Sequence, residues 1–94
     1  MPDIRKLVWR ADARRDLRNI LNYIGDRNPP AAERMRQRLE FVANRLVEFP
    51  LMHRSGRLSD TREAVAHPNY IIIYRVSPKL IEILNIVHAA QNYP

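Results

Sequence analysis

Cysteine is absent from this 94-residue chain, which excludes disulfides and thiolate metal sites. Glycine occurs only at Gly25 and Gly56, too sparsely for a glycine-rich phosphate loop. No apolar run approaches the ~20 residues a membrane helix needs, and the opening MPDIRKLVWRAD has no signal-like apolar stretch. A complete, cytoplasmic protein with no membrane partner is the expectation. No two histidines stand at metal-ligand spacing and no serine or cysteine nucleophile motif is visible, so neither a metal nor a cofactor is expected. Repeats and low-complexity stretches are also missing, and the length suits a single domain spanning residues 1–94.

What is present is positive charge. Sixteen basic side chains face ten acidic ones, and 14 of the 16 are arginine. Arginine forks onto carboxylates and phosphates and stacks on aromatic rings. Such a chain suits an acidic macromolecular partner, either nucleic acid or an acidic protein segment. Residues 1–49 carry 11 basic and 7 acidic groups, a net +4; residues 50–94 carry 5 and 3, a net +2. The excess therefore lies mainly before the last three strands, which favours a docking surface for an acidic protein.

Periodicity predicts the order β-α-α-β-β-β. Ile4 to Arg10 alternates loosely and reads as a first strand. Asp12 is the expected N-cap of a helix whose stripe is Leu17, Ile20, Leu21 and Ile24. The segment GDRNPP ends that helix, and Asn28 caps a second running from about Pro30 to Glu48. The second stripe is Met35, Leu39, Val42 and Leu46. Pro50 to Asp60 shows no period and is expected as loop. Strands follow at Thr61 to His67, Tyr70 to Val76 and Leu80 to His88, with Ser77, Pro78 and Lys79 turning the last hairpin. The fold class is α+β, with a helical hairpin on one face of a mainly antiparallel sheet.

Alternation in YIIIYRV puts Tyr70, Ile72, Tyr74 and Val76 on one face and Ile71, Ile73 and Arg75 on the other. In the next strand, Leu84 and Ile86 oppose Ile81, Ile83 and Val87. Both faces are apolar, and two helices cover only one. Ile71 and Ile73 are expected on a face that a partner covers; the alternative is cover by the C-terminal tail or the 50–60 loop.

Two groups of side chains invite a functional reading. His88, Arg75 and Tyr93 suit phosphodiester cleavage if they converge at one sheet edge, with a histidine moving protons and an arginine steadying phosphoryl charge. The competing assignment has His88 capping its strand, Arg75 paired with Glu82, and the Tyr93 ring on the core. Phe41 lies off the core stripe of the second helix among Arg34, Arg38 and Arg45. It is either a recognition ring under guanidinium groups or a ring at the helix–sheet margin.

The segments ADARRDLRNILNYIGDRNPPAAERM, FPLMHRSGRLSDTREAV, YIIIYRV and IEILNIVHAAQNYP, in this order and spacing, resemble the RelE/ParE superfamily of bacterial toxins, and its ParE branch most closely. The resemblance covers nearly the whole chain. It implies a type II toxin neutralised by a cognate, ParD-like antitoxin whose C-terminal segment wraps the helical hairpin and reaches the sheet. Arg14, Arg18, Arg34, Arg38, Phe41, Ile71 and Ile73 are the antitoxin-contacting residues it implies here. ParE-like members inhibit DNA gyrase through protein contact, with no catalytic residues of their own. RelE-like members cut mRNA on the ribosome, which makes Arg62, Arg75, His88 and Tyr93, with Arg57 beside them, the catalytic candidates of an alternative reading. The ribonuclease branch carries cations at places that here hold Glu63, Val65 and Ile71. A third alternative is a non-toxic module that acts only in operon autoregulation with its antitoxin.

Overall fold

The structure, a computed structural model, describes residues 5–90. Seven elements follow one another: β1 (Lys6–Trp9), α1 (Ala11–Gly25), α2 (Pro29–Arg45), β2 (Arg54–Ser55), β3 (Thr61–His67), β4 (Tyr70–Val76) and β5 (Leu80–His88). They build one five-stranded sheet in the order β1-β5-β4-β3-β2. Strand β1 lies parallel to β5, and every other pairing is antiparallel. This is the α+β arrangement expected, with one strand added.

The helices form for different local reasons. α1 follows β1 after a single residue, Arg10, whose extended backbone starts the helix without a side-chain cap. The expected cap, Asp12, instead sits inside the first turn. There its charge favours the helix dipole and pairs with Arg15 at 3.3 Å. α2 is capped as read: the Asn28 carboxamide oxygen accepts from the Ala31 N–H at 3.1 Å, and prolines fill the first turn. It ends at Arg45, three residues before the expected Glu48. The chain then turns through residues 46–48 toward Pro50, which disfavours a helical residue before it.

The core lies between the helical hairpin and one sheet face. Leu39 and Ala43 of α2 and Leu46 just beyond it meet Ala64, Ala66, Ile72, Tyr74, Ile81 and Ile83, all fully buried, with Ala13 of α1 beside them. Leu17, Ile20, Met35 and Val42 pack at the margin, so both helical stripes are the ones periodicity predicts. Arg38 ties the second helix down by donating from Nε to the Ala66 carbonyl at 2.7 Å.

Two expectations are corrected. Segment 50–60 is not all loop, because β2 pairs Arg54 with Glu63 and Ser55 with Arg62. Two residues are too few to leave a period in the sequence. Strict alternation also fails in β5. The register of β4 against β5 slips between Ile73 and Tyr74, which face Asn85 and Ile83, so Leu84 is an extra, bulged residue. The slip brings Ile86 onto the core face with Ile81 and Ile83, instead of opposing them. Asp16 of α1 accepts from the Ile86 N–H at 2.9 Å and from the Asn85 amide at 3.2 Å, locking the helix to the bulge.

Candidate functional site

The second sheet face is less open than its apolar pattern suggested. Ile71 is 7% and Ile73 2% exposed, so of the two covers expected for this face, a partner or the chain itself, the chain already supplies most at these two positions. Ile73 stands between Glu63 and Asn85 in register, and Ile71 between Val65 and Val87. Val65 is the open apolar side chain of that row, at 53%. Glu63 is itself buried, holding Arg54 at 2.8 Å. Thus of the three positions where the ribonuclease branch carries cations, one is an ion-paired acid and two are aliphatic.

The β4–β5 hairpin separates two chemically different ends. At its open end Tyr70 pairs with His88. The Tyr70 ring lies edge-on to His88, with centroids 5.5 Å apart, and His67 stands on its other side at 6.1 Å. His88 Nδ1 accepts from the Ala90 N–H at 3.1 Å, which orients the ring at the strand end. A hollow of about 290 Å³ lies here, lined by Asp16, Asn19, Tyr23, Tyr70 and His88.

At the turn end Arg75 pairs in register with Thr61 and Glu82. Glu82 is taken by Arg10 at 2.6 Å, so the Arg75–Glu82 ion pair of the competing assignment is replaced by one from the residue that joins β1 to α1. Arg75 instead borders a hollow of about 710 Å³ that also receives Arg57 and Arg62. Loop geometry builds this hollow. Gly56 N–H donates to the Thr61 carbonyl at 2.7 Å, and the Thr61 hydroxyl donates to the Leu58 carbonyl at 2.7 Å. A Cβ on Gly56 would stand 2.2 Å from Thr61 Oγ1, so the close approach needs glycine. Asp60 adopts φ 63°, the left-handed region that Asp tolerates better than most side chains. Arg62 Nη1 donates to the His53 carbonyl at 2.7 Å, fastening the loop to β3. Nearby, Tyr74 donates to the Pro50 carbonyl at 2.8 Å, and burial pushes its phenol above the ordinary value, an effect Arg62 partly offsets. His53 lies edge-on to Tyr74, and burial pulls its pKa below 6.5.

His88 and Arg75 therefore do not converge. Tyr70, the position opposite His88, stands five steps along β4 from Arg75, about 17 Å of strand, and an odd step puts them on opposite faces. Tyr93 lies outside the described residues. The arginines do come together, through Gly56 and Thr61, which carried no functional weight in the sequence. The one signal was the placing of one of two glycines in an otherwise irregular segment. Among the described residues, no group of three His, Cys, Asp or Glu side chains stands ready to hold a metal ion.

A second surface runs along the helical hairpin. Arg34, Arg38, Phe41 and Arg45 share one stripe of α2. Phe41 is 49% exposed, and Arg45 lies over both the Phe41 and Phe49 rings, 5.7 and 5.1 Å from their centroids. Phe41 is thus an exposed ring under a guanidinium, not one packed at the margin. Arg36 is held by Glu33 and Glu40 on the adjacent stripe, which raises its pKa further and takes it out of contention as a docking cation. Arg34 and Arg38 border a groove of about 500 Å³ whose apolar lining includes Ala31, Met35 and Pro68. On α1, exposed Arg14 reaches the Trp9 carbonyl at 3.1 Å, and Arg18 stands exposed one turn on.

Residues 7–93 match the family model for the ParE toxin of the type II toxin–antitoxin system parDE. The chain is 42% identical over 88 residues to Toxin RelE2 of Caulobacter vibrioides, covering 92% of this chain and 97% of that protein. Its fold is similar to a chain of the chromosomal ParDE system of Pseudomonas aeruginosa, with a TM-score of 0.80 at 22% identity over 90% of this chain and 96% of the other. It is also similar to a chain of the DinJ–YafQ toxin–antitoxin complex of Escherichia coli, with a TM-score of 0.62 at 16% identity over 93% and 94%. The family match over residues 7–93 and the 42% identity to a relative along nearly the whole chain show that this chain, with its two helices on a five-stranded mixed sheet, is a type II toxin of the RelE/ParE superfamily and belongs to the ParE toxin family.

Proposed function

We propose that this toxin inhibits DNA gyrase by protein–protein contact, in the cytoplasm, and that a cognate antitoxin neutralises it. The observation that carries the target is the separation of groups along the β4–β5 hairpin. Phosphodiester cleavage needs a proton-transfer group and cations around one phosphate. Here His88 lies about 17 Å along the hairpin from Arg75, on the other face. Positions 63, 65 and 71 add no cation to the sheet. A toxin that works by contact needs neither. Purified toxin in excess is expected to abolish gyrase supercoiling in vitro; full supercoiling at high excess overturns the target.

The antitoxin reading rests on the helical surface. Arg14, Arg18, Arg34, Arg38 and Phe41 present cations and a ring beside an apolar groove, which suits an acidic segment with apolar anchors. Ile71 and Ile73, nearly buried, offer that contact little surface beside exposed Val65. Coexpression with the antitoxin is expected to protect both helices from hydrogen exchange, and unchanged exchange across α1 and α2 contradicts this surface.

One observation favours ribosome-dependent mRNA cleavage as the second reading: Arg57, Arg62 and Arg75 share a hollow. In that case, primer extension after induction shows cuts in translated mRNA that disappear with Arg75→Ala, and gyrase is untouched.

A further inference from the structure

The hollow at the turn end of the hairpin is a built site, and its chemistry goes beyond contact with a protein target. Among the described residues, Arg57, Arg62 and Arg75 line one open concavity with a single carboxylate, Asp60. The loop that gathers them is closed by the Gly56–Thr61 hydrogen bond and by the Thr61 hydroxyl, with Arg62 fastening it to β3 through the His53 carbonyl, so the closure itself does not depend on Arg57 or Arg75. At about 710 Å³ the hollow is far larger than one inorganic phosphate and wide enough for a stretch of phosphodiester backbone.

Its lining also decides which backbone. Single-stranded nucleic acid is bound by stacking bases on aromatic rings beside a cationic groove. Among the described residues no aromatic side chain lines this hollow; Ser55, Ser59 and Thr61 are its neutral polar groups. A site with forks for phosphate and nothing for bases suits a duplex, whose bases stay stacked inside. We propose that this hollow binds the phosphate backbone of double-stranded DNA without regard to sequence. The inference stands apart from the gyrase target, although an enzyme that holds a duplex would present both partners at once.

Fluorescence anisotropy of a labelled duplex oligonucleotide, titrated with the full-length toxin at several salt concentrations, tests it. Three phosphate contacts predict a log–log salt slope near −2.7, so affinity falls about forty-fold between 50 and 200 mM salt. Arg75→Glu is expected to weaken binding at least ten-fold and to make the slope shallower by about one. Arg15→Glu makes the same charge change on α1 and is expected to leave both quantities nearly unchanged. Arg75→Gln, which keeps an uncharged polar group at this exposed position, serves if the reversed charge unfolds the chain, and is expected to make the slope shallower in the same way.

Tighter binding of a single-stranded RNA of equal length overturns the proposal. So does an equal loss in Arg15→Glu, which would reduce the effect to diffuse charge, and so does the absence of duplex binding at 50 mM salt. A toxin that binds the duplex with the predicted slope but leaves gyrase supercoiling intact upholds this site and removes the proposed target.

Discussion

The two ends of the β4–β5 hairpin are built from the same ladder yet offer opposite chemistry. The open end holds His88, Tyr70 and His67 beside Asp16 of α1, a cluster of rings able to bond and stack. The turn end holds three arginines around a loop-walled hollow. A strand is a stiff ruler, so groups five residues apart cannot meet however the side chains turn. Distance along one hairpin thus decides more about function than the list of available residues. Histidine and arginine candidates that read as one catalytic set belong to two places.

This comparison can be broken or sharpened by substitution. Ile72, fully buried at the centre of the hairpin, supports both ends. Ile72→Ala is expected to cost about 3 kcal/mol, the scale of a large-to-small core change, and to lower the urea midpoint for probes at either end together. Transitions that separate would show that the hairpin is not one rigid unit.

Asp16→Ala removes the acceptor for Ile86 N–H at the bulge. A loss of about 2 kcal/mol is expected, because a backbone donor beside the bulge is left unpaired. Amide exchange should quicken at Asn85 and Ile86 and stay unchanged at Thr61 and Arg62. Gly56→Ala is the reverse experiment. Its Cβ would press on Thr61 and force the loop apart, costing about 1.5 kcal/mol. Exchange should quicken at residues 56–62 while the His88 end keeps its protection. If either change loosens both ends equally, the ends are coupled and the comparison fails.

The smallest effect is the pH response of the turn end. Burial holds the His53 pKa below its ordinary 6.5, so the folded chain favours the neutral ring. The unfolded chain takes up its proton first as pH falls. The resulting stability is fully present above about pH 6.5 and is lost as pH drops through the depressed folded value. The fall in melting temperature from pH 7 to pH 5 is expected to be slightly shallower in His53→Gln than in the parent chain. Identical profiles would place His53 in solvent.

Much of the architecture was legible in the residues. The spans of β3, β4 and β5 coincide with the expected ones because β-branched and aromatic runs were bounded by Pro68, Asn69 and the Ser77–Pro78–Lys79 turn. Both helix stripes were legible because a core-facing helix has to repeat its apolar side chains every three to four residues. The misreadings have local causes. Asp12 had a capping residue's chemistry, but β1 ends too close to α1 to leave it outside the helix. Glu82 was the natural partner for Arg75 across the hairpin, yet Arg10 reaches it from the junction of β1 and α1, and that pairing crosses 72 positions in sequence. The site was legible only as ingredients: the arginines could be named, but not the loop that gathers them.

By itself, then, the sequence determined the helical hairpin, the three long strands, the surplus of arginine and the family, since each depends on local periodicity or on residue order. Tertiary structure alone decided the bulge at Leu84, the closing of Ile71 and Ile73, the parting of His88 from Arg75 and the gathering of Arg57 with Arg62 and Arg75. Those outcomes hang on register and on contacts between distant segments. One inserted residue or one close glycine changes which side chains face each other, while the pattern along the chain stays almost the same.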